Sequence, residues 1–175
     1  EEYLNRINAI QLPNTKIKIL QRLLSQAIDE FKKVNRIKGI EFSDRMRHVV
    51  DEYNNRRRDE AYANEVLDDV AEQLAKLLSE LKNEKDSFKD MGIDFEEKAF
   101  YDILISMRDQ YNFEYGTDKE VDGIVINDKC KNLAIKVKEI IDTKSSFADW
   151  LNNQNVRDQL KLEIEIYLVK NGYPP

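Results

Sequence analysis

The sequence predicts an all-α fold, and three observations point there. Breakers are scarce, with five glycines and three prolines in 175 residues. Charged residues make up 35% of the chain, and many are Lys and Glu, which lose little rotamer freedom in a helix. Between Ile40 and Met91 there is neither Gly nor Pro, so apolar residues at three- and four-residue steps run on without a stop signal. The expected architecture is an irregular multi-helix bundle, with one or two long helices between about residues 43 and 90.

The chain opens on Glu1-Glu2-Tyr3-Leu4, without an initiator Met, and Leu4, Ile7 and Ile10 fall on one helical face. A piece of a longer polypeptide is the expectation. After Pro13, residues 15–38 place Ile17, Leu20, Leu24, Ile28 and Phe31 on one stripe, and Gly39 is the expected C-cap. Ser43 offers an N-cap oxygen, with Asp44 favourable in the first turn. Met46, Val49, Val50 and Tyr53 form the next stripe. A further one runs through Tyr62, Val66, Leu67, Val70, Leu74, Leu77, Leu78 and Leu81, with any break near Asn54-Asn55. Past Gly92, Asp94 and Glu97 have capping-box spacing for a helix carrying Phe100, Leu104 and Met107 to Gln110. Residues 111–126, with Gly116 and Gly123, are expected as a loop. Asn127 then opens a helix with Cys130, Leu133, Ala134, Val137, Ile140 and Ile141 on one side, and Ser145-Ser146 connects it to the last element. All of this is expected to form a single helical domain, with leading helices over 1–38 and its main part over 42–175.

The ending is ambiguous. In Leu160–Leu168 apolar and polar residues alternate with the period of a strand. A helix explains more neighbours, because Gln154–Gln159 runs into Leu160 without a turn signal. On a helical wheel, Val156, Leu160, Ile164 and Tyr167 share one face while Leu162, Ile166 and Val169 share another. The helix is the assignment, and a helix apolar on two sides is expected to touch two things.

Composition excludes several classes. A net charge of −6 argues against an autonomous nucleic-acid binder, whose affinity comes from phosphate neutralisation. One Cys and one His cannot build a zinc site of the usual kinds or an intrachain disulfide. No apolar run would span a bilayer, so a soluble, cytoplasmic chain is expected. Catalytic motifs fare no better. Asp59-Glu60-Ala61 has the look of an ATPase acidic motif but follows a charged helical surface, and no phosphate loop exists in the chain. Glu96-Glu97-Lys98 has nuclease-like E-x-K spacing but sits in a helical first turn, where acids are favoured by the dipole alone. Arg56-Arg57-Arg58 fan out 100° apart and are flanked by Asp51, Glu52, Asp59 and Glu60, as a surface salt-bridge network would be. His48 lies opposite its helix's apolar stripe, and Cys130 reads as a core thiol. Trp150 is a packing residue or an interface anchor.

Several strings taken together resemble one family. Asp149-Trp150, Val156-Arg157 and the closing Gly172-Tyr173-Pro174-Pro175 are similar to the end of the motor (restriction, R) subunit of type I restriction enzymes. Phe42-Ser43-Asp44-Arg45, Tyr53-Asn54-Asn55-Arg56 and Glu97-Lys98-Ala99-Phe100-Tyr101-Asp102 resemble further segments of that family's C-terminal helical region. One departure is acidic: Asp158, Glu163 and Glu165 stand in a stretch that is typically basic in the family.

The resemblance implies a parent subunit with a nuclease domain and two helicase-like domains that translocate DNA using ATP and magnesium. The helical domain at its end would bind no cofactor and catalyse nothing itself. It would pack on the motor domains of the same subunit and dock it to the modification and specificity subunits, in an assembly that also holds DNA. The residues assigned to docking are Trp150, Arg157, Leu162, Ile166, Val169 and Tyr173. Two rivals stand beside this reading: a DNA-contacting clamp through Arg45, Arg47, Arg56, Arg57 and Arg58, and an unrelated helical scaffold.

Overall fold

The computed structural model of the chain describes residues 5–7, 9, 13–56, 64–145 and 153–175. Helices α1 (Pro13–Val34), α2 (Arg36–Asn55), α3 (Asn64–Asp86) and α4 (Phe95–Tyr111) come first. Strands β1 (Asp118–Val121) and β2 (Ile124–Asn127) follow, then α5 (Asp128–Ser145) and α6 (Gln154–Lys170). The architecture is helical, as the sequence predicts, with one small hairpin added. The chain divides into two compact units, Glu1–Ser87 and Phe88–Pro175.

In the first unit α1, α2 and α3 each pack on the other two. The stripe read from sequence is the buried face of α1: Ile17, Leu20, Leu24, Ile28 and Phe31. Leu67, Val70, Leu74, Leu77 and Leu81 of α3 close the core from the other side. Each fully buried Leu or Ile contributes about 1.5–3 kcal/mol.

The start of α2 corrects the expected stop at Gly39 and restart at Ser43. Helix α1 ends four residues earlier, and the buried Asn35 caps α2 by accepting the Lys38 N–H at 3.1 Å. The helix then runs straight through Gly39, where a Cβ would stand 2.9 Å from Lys32 Cα. The glycine serves a close approach of two helices, which is a tertiary demand invisible to local pattern. Ser43, inside α2, accepts from Lys32 Nζ at 3.0 Å. The other end behaves as expected, with α2 stopping at Asn55.

The second unit opens on the capping box foreseen at Asp94 and Glu97. Asp94 Oδ1 accepts the Glu96 and Glu97 N–H groups at 2.9 and 2.8 Å, while Glu97 Oε2 accepts the Asp94 N–H at 2.8 Å. The segment expected as a loop is corrected to an antiparallel hairpin over 118–127, pairing Asp118 with Asn127 and Val121 with Ile124. Its two turn residues, Asp122 (φ 53°) and Gly123 (φ 80°), both have positive φ, as a two-residue turn matched to strand twist requires.

A lone hairpin is marginal in water, so this one depends on its anchors. Fully buried Asn127 donates from Nδ2 to Tyr115 O and to Asp118 Oδ1, both at 2.8 Å. Its Oδ1 accepts the Cys130 N–H at 3.0 Å, which caps α5 at the predicted place. Its backbone N–H donates to the Tyr101 hydroxyl, also at 3.0 Å. Arg108 Nη1 holds Asp118 at 2.6 Å.

Candidate docking surface

Helix α6 begins at Asn153, whose side chain accepts the Asn155 and Val156 N–H groups at 3.1 and 3.4 Å. The ambiguous alternation is therefore helical, and the helix packs on α5. One face goes inward: Leu160 is buried, Val156 and Ile164 are half-buried, and Tyr167 and Leu168 pack against the core of the second unit. The other face stays open, with Leu162, Ile166 and Val169 at 55%, 44% and 52% exposure. Their spacing of four and three residues makes them one continuous ridge.

Charged groups border the ridge. Lys144 of α5 reaches Glu163 at 3.1 Å, and Lys161 lies 3.7 Å from Glu165. Arg157 is exposed one turn earlier and donates to Gln154 Oε1 at 2.6 Å.

Tyr173 leaves the docking set. It is 6% exposed, donates its hydroxyl to Leu104 O at 2.7 Å and meets Phe113 and Tyr115 edge to face. Burial pushes its phenol up to about 12. The chain after α6 is pinned there, and Tyr115 adds a second tie by donating to Asn171 O at 3.0 Å. Trp150 and the neighbouring Asp149 lie outside the described residues, as do Arg57 and Arg58.

The remaining arginines of the clamp reading make internal contacts. Arg45 pairs with Glu80 and lies 5.3 Å over the Phe42 ring. Arg47 pairs with Asp44 at 2.8 Å. Arg56 stacks on Tyr53 at 3.6 Å and donates to that residue's carbonyl.

The residues with enzyme-like spacing are likewise occupied. Glu97 is half of the capping box, and Lys98 holds Asp102 at 2.6 Å in a buried pair. Cys130 is fully buried, and desolvation pushes its thiol up to about 11, away from reactivity. His48 is exposed, and Asp59 and Glu60 lie outside the described residues. Among the described residues, no group of three His, Cys, Asp or Glu is arranged to hold a metal. No helix among them is long and apolar enough to cross a membrane.

Sequence reading missed a second exposed ridge. Ile103, Met107 and Tyr111 of α4 are all exposed at four-residue steps. Leu104 and Tyr101 of the same helix go into the core, while Met107 stays outside. The i, i+4, i+8 spacing of those three residues was the available signal.

Over residues 1–175 the chain matches the family described as type I restriction enzyme HindI endonuclease subunit-like, C-terminal. The chain belongs to that family. It is also 25% identical, over 172 residues, to a protein of Methanocaldococcus jannaschii that carries the name type I restriction enzyme MjaIXP endonuclease subunit. That alignment covers 98% of this chain and 15% of the relative's length. No solved structure matches.

With the family in hand, the recognisable strings acquire structural jobs. Phe42 is in the core of the first unit, and Tyr53 donates to Asn14 Oδ1 at 2.6 Å, tying α2 to α1. Lys98, Tyr101 and Asp102 organise α4 and the hairpin, and Tyr173 closes the second unit.

Proposed function

We propose that this chain is a non-catalytic assembly domain of a type I restriction–modification motor subunit, acting in the cytoplasm in DNA restriction. The open ridge of α6 docks the subunit to the methyltransferase core made by the modification and specificity subunits. ATP and magnesium serve the motor and nuclease parts of the parent, and this domain binds neither.

The observation that carries the reading is the two-sidedness of α6. Leu160 and Leu168 secure the helix to its own unit, while Leu162, Ile166 and Val169 expose large apolar surface in register along the opposite face. A ridge of three such side chains with charged neighbours has the anatomy of an interface centre and rim. Arg157, with donors beyond its bond to Gln154, adds a directional contact at one end.

The test is calorimetric titration of this chain into its cognate methyltransferase core, with and without duplex DNA. Saturable binding that Ile166→Asp weakens by about 2 kcal/mol or more, with helicity unchanged by circular dichroism, is the expected result. A competent core that takes up no chain, or an equal affinity for Ile166→Asp, rejects the ridge as the docking surface.

A further inference from the structure

One groove in the first unit brings an arginine, a lysine and a histidine together. It lies between α2 and α3, encloses about 290 Å³, and is lined by Arg45, His48, Val49, Gln73, Lys76 and Leu77. Acidic residues outnumber basic ones 34 to 28 in the sequence, yet among the described residues no carboxylate lines this groove, and Glu80 stands beside it bonded to Arg45. Val49 and Leu77 are buried and form an apolar floor. The walls carry two permanent cations and the only histidine of the chain.

The state of those side chains matters more than their number. Lys76 and His48 have no hydrogen-bond or ion-pair partner among the described residues, and both are exposed. Arg45 gives one nitrogen to Glu80 and keeps further N–H groups of its five. The Gln73 amide donates to Asp69 at 2.8 Å, which fixes that wall. An ammonium with no ion pair, sharing a groove and an apolar floor with an arginine, suits a tetrahedral anion: Lys supplies the point charge and Arg the directed donors.

We propose that this groove binds a phosphate group, with Lys76 and Arg45 as its principal contacts and His48 as an added donor. It shares no residue with the α6 ridge and is independent of the docking reading. The phosphate can come from a nucleic-acid backbone or from a free nucleotide, and the test distinguishes the two.

The experiment is amide chemical-shift mapping of the purified chain at low salt. A short DNA duplex, adenosine monophosphate and inorganic phosphate are titrated separately. Saturable shifts centred on 45–49 and 73–77 are expected from at least one of them. Shifts from the duplex alone assign the phosphate to a nucleic-acid backbone, and shifts from the small anions alone assign it to a free ligand. Lys76→Glu should weaken binding about tenfold and, for the duplex, lower the salt dependence by about one ion. Lys119→Glu, an exposed lysine on β1, serves as control and should change affinity less than about twofold. Shifts elsewhere on the chain, no shifts with any of the three probes, or equal effects of the two substitutions overturn the proposal.

Discussion

The two units bury different chemistry. The large, fully buried side chains of the first are Ile17, Leu20, Leu24, Leu74 and Leu81, whereas in the second they are Asn127 and Cys130. Around Asn127 stand Tyr101, Tyr115, Asp118 and Arg108, joined by hydrogen bonds of 2.6–3.0 Å. Aliphatic burial is non-directional, so the first core is held by area and volume and tolerates repacking that conserves them. Buried hydrogen bonds are directional, and losing one partner strands the other at the cost of its desolvation. The second unit adds these directional bonds to an apolar cluster of its own, with Met91, Ile93, Leu104 and Leu133. Two of the family-like strings, at residues 97–102 and 172–175, supply part of this bonding through Lys98, Tyr101, Asp102 and Tyr173.

The largest effect expected from this contrast is in the first unit. Leu74→Ala leaves a cavity at a position with no exposure and should cost about 4 kcal/mol in chemical denaturation. Leu74→Met, which roughly conserves volume, should cost under about 1.5 kcal/mol. If the two were equally damaging, the tolerance claimed for the aliphatic core would be wrong.

Next comes the buried pair of the second unit. Lys98→Met leaves Asp102 charged and buried without its cation, at about 3 kcal/mol. The double variant Lys98→Met/Asp102→Leu should recover most of that loss, because it removes both charges together. A double variant as unstable as the single one would show that the pair's geometry matters beyond its charge balance.

The smallest effect is acid sensitivity. Hydrogen bonds from Arg108 and then from Asn127 hold the Asp118 carboxyl below its ordinary range. A depressed carboxylate stabilises the fold above its unfolded pKa of about 3.9, and the contribution disappears as pH falls through the lower folded value. Asp118 is 40% exposed, so solvent screens the effect. Asp118→Asn should accordingly flatten the part of the stability–pH curve below about pH 4. An identical acid limb in the variant would place the sensitivity elsewhere.

How far the sequence could be read follows the same division. The stripes of α1 and α3 were legible, because aliphatic periodicity is a direct image of the core they make. So were the capping box at Asp94 and Glu97, the cap at Asn127 and the two-sided last helix, all local signals. The hairpin escaped because its strands have four residues each, too few to show a period, although Asp122-Gly123 is a turn signal in itself. Gly39 was misread because its reason lies across the helix interface, at Lys32. Tyr173 was assigned to a partner surface because nothing nearby in sequence announces its contact with Leu104. The α6 ridge was legible as a face, whereas the α2–α3 groove needed two helices brought together before its lining existed.

That bond from Tyr173 to Leu104 spans 69 residues, and it orders events during synthesis. Residues 13–86 contain α1, α2 and α3, so most of the first core can assemble while the rest is still being translated. The second unit cannot close until residue 173 clears the ribosome. Until then α4 can pair with α5, but Leu104 and its aromatic neighbours lack their contact with Tyr173. Slowed translation past residue 104 would therefore lengthen that interval in one unit and leave the other untouched.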